Sequence, residues 1–174
     1  HHYLVGTVAD DNLIRGKTRL PGKGLSELPG GPFRVDSDIF ESRPGCLVTA
    51  NLYVPANLSE PAPAVLAPCG HSANGKAGYQ SFHQRLAHNG FVVLGYDPFS
   101  QGERDQYSDL AEREIVKAST AAHNMAGKQL ELLGEYFGMW RVWDGIRALD
   151  LLLSREEGRT FGAMATSAVP ETKG

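Results

Sequence analysis

The segment Pro63–Arg104, PAVLAPCGHSANGKAGYQSFHQRLAHNGFVVLGYDPFSQGER, leaves this chain few choices of fold. Ala64–Pro68 is a short apolar run, and Phe91–Tyr96 has the length and composition of a strand buried on both faces. Between them, Tyr79–His88 carries Tyr79, Phe82 and Leu86 on one helical stripe, and Asn89-Gly90 is a helix stop. Cys69–Gly75 is turn chemistry, because two glycines and an Asn supply backbone freedom. Strand, helix and strand over so short a span form a βαβ unit, so the two strands are predicted to be parallel neighbours. In such sheets ligands bind beyond the carboxyl ends of the strands. Both glycine-bearing loops, at 69–75 and 97–104, fall there.

The order of these motifs, VLAPCGHSANGK followed by LAHNGFVVLGYDPFSQGER, resembles the first half of an α/β-hydrolase. The nearest branches are the acetyl-xylan-esterase-like and dienelactone-hydrolase-like ones. Those carry a His-Gly-His/Tyr turn after the third strand and an Asp-x-x-Gly-x-Gly-Glu-type loop after the fourth. The resemblance runs over residues 46–155. It implies an α/β fold: a partial hydrolase sheet, mostly parallel, with an antiparallel N-terminal hairpin and flanking helices.

The rest of the chain divides around this unit. Residues 1–32, rich in Gly and Pro, are expected to form an irregular arm. Phe33–Glu41 and Cys46–Val54 read as paired strands around a Ser42–Gly45 turn. Asp109–Ala122 has helical spacing, with a break expected near Gly127 after His123. Lys128–Arg155 is the longest periodic stretch, predicted as one helix that Gly134 and Gly138 can bend. Met139, Val142, Trp143, Ile146, Leu149 and Leu153 form its core stripe, and Asp144, Arg147 and Arg155 fall on other faces. The resemblance implies that residues 33–155 are the N-terminal half of a hydrolase domain. Residues 156–174 lose the periodicity and are expected to be unstructured, as in a truncated gene, a shifted frame or a trimmed chain. The long helix and the 91–96 strand would then both lack the nucleophile-bearing strand they pack against.

Composition excludes several classes. A net charge of −3 with signs interspersed is no nucleic-acid footprint. No apolar run approaches the ~18 residues of a membrane span. Cys46 and Cys69 lack Cys-x-x-Cys spacing and read as free thiols. The six histidines form neither His-x-x-His nor His-Glu-x-x-His, so no metal and no cofactor is expected.

Serine ester hydrolysis needs an activated nucleophile, an oriented base and oxyanion donors. The Gly-x-Ser-x-Gly elbow that the resemblance implies is absent from the sequence, and Ser167, between Thr166 and Ala168, lacks the flanking glycines an elbow needs. The resemblance does place an oxyanion donor just after the third strand, at His71 with Ser72 beside it, through the main chain. Cys69 stands where the family often has His. Asp97, directly after the fourth strand, is either a turn-former or an organiser of the active-site rim. The expected function is a carboxylic-ester hydrolase fragment, an acetyl-esterase-like serine hydrolase with a small-molecule ester substrate and neither nucleic-acid nor membrane partner. The alternatives are a peptidase or dienelactone hydrolase, and a non-catalytic binding domain of the same fold.

Overall fold

The computed structural model describes residues 33–107, 114–155 and 160–161. The expected arm at 1–32, the first residues of the helix expected over 109–122 and most of the 156–174 segment lie outside these. Five strands form one sheet in the order β1-β2-β4-β3-β5. β1 (Phe33–Arg43) and β2 (Cys46–Pro55) are the antiparallel hairpin, turning at Pro44-Gly45. Gly45 takes φ +75°, a left-handed conformation that costs a residue with a Cβ more than it costs glycine.

β3 (Pro63–Pro68) and β4 (Val92–Tyr96) are adjacent and parallel, as the βαβ pattern requires. A one-turn helix α1 (Gly75–Gly78) and then α2 (Gln80–His88) connect them. α2 stops as Asn89-Gly90 dictates. Gly90, at φ +88°, donates to the Ala87 carbonyl and Phe91 donates to the Leu86 carbonyl, a Schellman motif. β2 lies antiparallel on the other side of β4, so β4 is enclosed by β2 and β3. The expectation that it lacks a neighbouring strand is therefore corrected. Thr160–Phe161 form β5, parallel to β3 on its free edge and inside the segment expected to be unstructured.

Two helical layers cover the sheet, because alternate residues of each strand face opposite sides. Val92, Leu94 and Tyr96 of β4 join Val48, Leu52 and Val54 of β2 and Ala148, Leu151 and Leu152 in one core. Val93 joins Tyr53, Val65, Ala67 and Ala87 of α2 in the other. Each large side chain so buried contributes about 1.5–3 kcal/mol.

The expected long helix is two. α3 (Thr120–Leu132) starts later than Asp109 and runs through Gly127 without a break. It ends in a second Schellman motif, with Gly134 at φ +73° donating to Glu131 and Glu135 donating to Leu130. α4 (Phe137–Leu153) follows. Its stripe is also corrected. Met139, Val142, Ile146 and Leu153 are exposed, whereas Asp144, Ala148, Leu151 and Leu152 are buried. The helix is apolar on two faces, and the sheet takes only one of them.

Candidate active-site loop

Beyond Pro68 the chain turns through Cys69, Gly70, His71 and Ser72 before entering α1. One side chain sets the shape of this turn. The buried Gln101 amide donates one hydrogen to the Gly70 carbonyl and one to the Ser72 carbonyl, both at 2.8 Å. His71 sits between the two clamped carbonyls. Its main-chain N–H has no hydrogen-bond partner among the described residues. The Ser72 carbonyl also accepts from the Gly75 amide at 3.0 Å, which closes the turn.

Asp97 joins this loop to the one after β4. It is fully buried, and its carboxylate accepts from the Lys76 amide at 2.7 Å, the Lys76 ammonium at 2.5 Å and the Thr49 hydroxyl at 2.6 Å. The Lys76 ammonium also contacts Glu103, so two carboxylates surround a buried cation. Gly75 and Gly102, at φ +50° and +62°, pack against Asp97 so closely that a Cβ on either would lie 2.1 Å and 2.3 Å from its Oδ1. Gly102 donates to the Ala73 carbonyl at 2.9 Å, tying the loops directly. Asp97 thus accepts main-chain bonds at a turn and holds the two loops together.

Behind the second loop, Arg104 donates to Asp144 of α4 and to the Cys46 sulfur, at 2.6 and 3.3 Å. Burial pushes the guanidinium pKa down, and the Asp144 charge and hydrogen bond more than offset this, leaving it raised. Asp144 also faces Arg43 at 3.6 Å, and the Arg43 guanidinium stacks over Trp140. Burial, with the Asp97 charge added, pushes the Cys69 thiol up to about 12. Cys69 is therefore a neutral thiol at physiological pH and no thiolate nucleophile.

The His71 ring meets His123 of α3, centroids 5.0 Å apart. Together they face a cavity of about 510 Å³ walled by Lys128, Glu131, Phe137 and Arg141. His123 donates from Nε2 to the Phe99 carbonyl at 2.7 Å. Burial lowers its pKa and the Phe99 bond partly opposes that. Among the described residues no serine hydroxyl bonds a histidine, and no group of His, Cys, Asp or Glu is arranged to hold a metal.

His71 and Ser72, the residues the sequence singled out, thus share one clamped turn at the carboxyl end of β3. Sequence reasoning did not single out Gln101, Arg104, Asp144 or Arg141 as parts of a site. Only Gln101 had a signal, being next to Gly102 in the second loop.

No family model matches the chain, and no curated protein matches it by sequence. Solved structures do match. A candidate acetyl xylan esterase from Bacteroides fragilis aligns at TM-score 0.66 and 18% identity, over 78% of this chain and 39% of its own. An acetyl xylan esterase from Paenibacillus sp. R4 aligns at TM-score 0.55 and 20% identity, over 80% and 43%. A dienelactone-hydrolase-like phosphotriesterase from metagenomic libraries aligns at TM-score 0.51 and 18% identity, over 78% and 49%. The chain spans less than half the length of each. The described residues have a partial α/β-hydrolase fold, like that of acetyl xylan esterases and dienelactone-hydrolase-like enzymes.

Proposed function

We propose that this chain is the oxyanion-loop part of a carboxylic-ester hydrolase, acting on a small-molecule ester through a serine that the 174 residues do not carry in an elbow. The observation that supports it best is the clamped turn. Gln101 ties the carbonyls on either side of His71, and the His71 N–H, at the carboxyl end of β3, has no partner among the described residues. A donor held in place before the reaction contributes because it does not have to reorganise as charge develops. One such donor typically lowers the barrier by ~3–4 kcal/mol. Ser72 serves through its carbonyl, which holds the turn. Two of the fold neighbours are acetyl xylan esterases by description, in agreement with this reading.

The test is a chimera that joins residues 33–155 to the elbow-bearing remainder of one of the neighbouring acetyl xylan esterases. It should turn over an activated acetyl ester. Replacing the elbow serine by alanine should abolish that turnover, and Gln101→Ala should lower kcat by about tenfold or more through a slackened oxyanion turn. A folded chimera in which Gln101→Ala leaves kcat unchanged would remove the role given to this loop.

A further inference from the structure

One side of the cavity beside His71 is a row of rings. His71 meets His123 at a centroid distance of 5.0 Å, His123 meets Phe137 at 5.3 Å, and Phe137 meets Phe99 edge-on at 5.4 Å. His71, His123 and Phe137 line the cavity, and Phe99, outside its wall, backs the row. His123 is shut off from water, whereas His71 is exposed and Phe137 half-buried. A ligand in the cavity therefore meets His71 and Phe137, with His123 as the support that keeps both in place.

Tyr136 adds a ring that the fold itself does not use. It is the extended N-cap residue of α4, 68% exposed, and its side chain has no ring contact and no hydrogen bond among the described residues. The ring lies over Gly138, where a Cβ would stand 2.4 Å from its Cε1, and both residues line the cavity. A large ring standing in water on a cavity wall is a surface for another flat apolar group. Lys128 and Glu131 in the same wall are exposed and Arg141 is half-buried, so water and salt screen their charges and the rings decide what fits.

We propose that this cavity is a subsite for an aromatic ring, received by the side chains of His71, Phe137 and Tyr136. Resting on the hydrolase reading above, the ring belongs to the ester, on its acyl or its alcohol side, and the subsite holds it next to the oxyanion turn.

The probe is 2-naphthylmethanol, which is uncharged, with its saturated decahydro analogue for comparison. Each is titrated into the purified 174-residue chain by calorimetry and by the ring signals of His71 and Tyr136. The naphthyl compound should bind and shift both sets of signals, and the saturated one should bind about three- to tenfold weaker. Gly138→Ala puts a Cβ under the Tyr136 ring in a helix that accepts alanine. It should weaken naphthyl binding several-fold while unfolding stays cooperative. Tyr136→Leu should do the same, and Tyr136→Phe should retain the affinity. Ile115→Ser, which removes an apolar side chain exposed outside the cavity, should leave it unchanged. Equal binding of the two compounds, no binding of either, or a loss with Ile115→Ser as large as with Gly138→Ala overturns the subsite. Should Gly138→Ala not fold, the two Tyr136 variants decide.

The chimera described above distinguishes the two sides of the ester. 2-Naphthylmethyl acetate carries the ring on the alcohol and methyl 2-naphthoate carries it on the acyl group. The ester whose KM rises several-fold with Gly138→Ala identifies the side. An active chimera in which neither KM moves removes the subsite and leaves the hydrolase reading. An inert chimera with Tyr136-dependent naphthyl binding does the reverse.

Discussion

Arg104 donates to Asp144 at 2.6 Å, and both side chains are shut off from water although they belong to the second loop and to α4. Because Arg43 approaches the same carboxylate, one acid serves two guanidinium groups. Asp144→Ala leaves a buried guanidinium uncompensated and should cost about 3–5 kcal/mol. Urea denaturation of the two proteins measures this. A loss below about 1 kcal/mol, the level of a surface pair, would mean that water reaches Arg104.

The Gln101 clamp holds a loop more than it holds the fold. Two net hydrogen bonds of about 0.5–1.5 kcal/mol each are at stake in Gln101→Ala. Amide exchange should quicken over 70–75 and stay unchanged in β2 and β4. Uniform quickening would show that the clamp supports the whole domain instead.

His83 makes stability depend on pH. Burial on α2 pushes its pKa down to about 4, from an ordinary 6.5. The unfolded chain therefore takes up a proton that the folded chain refuses. This part of the stability is intact above about pH 6.5 and is lost as pH falls toward 4, on the order of 3 kcal/mol in all. Urea midpoints at pH 7 and pH 4.5 should differ clearly in the wild type and by less in His83→Gln. Equal differences in both would assign the slope to other groups.

Gly95 lets His83 lie on the sheet. A Cβ there would stand 2.3 Å from the imidazole Cε1. Gly95→Ala should destabilise by about 1–3 kcal/mol through overpacking. A paired His83→Ala change should recover part of that loss, and strict additivity of the two would show that ring and methyl never met.

The outer face of α4 concerns solution behaviour. Met139, Val142 and Ile146 stand 60%, 55% and 44% exposed along one side, a large apolar area to leave in water. The 174-residue chain should self-associate in sedimentation, and Met139→Lys with Val142→Glu should reduce this. It should also show no serine-dependent turnover of an activated acetyl ester. Organophosphate labelling of this chain would reverse that last expectation.

The hairpin and the βαβ unit were legible because their signals are local: alternation in β1 and β2, apolar runs in β3 and β4, and Asn89-Gly90 at a stop. Gly134 makes the same motif as Gly90 and was read as a bend, because helical periodicity resumes beyond it and hides the stop. The buried face of α4 was misread for a different reason. Arg104 draws Asp144 inward, a pairing across forty positions that no periodicity encodes. His71 and Ser72 were legible from their place after an apolar run. His123 meets His71, and Arg141 shares its cavity wall, only in three dimensions, so neither had a local signature.

The crowding around Asp97 has a use beyond the molecule itself. Two loops approach one carboxylate so closely that positions 75 and 102 admit no side chain, while Lys76 must reach the same oxygens from the neighbouring position. Geometry thus prescribes a spaced word, Gly-Lys and then Asp-x-x-x-x-Gly-Glu, set by contact distances. Such a word can be sought in other chains as a fingerprint of this loop junction, even where identity between whole chains has fallen to the 15–25% found between this one and its structural neighbours.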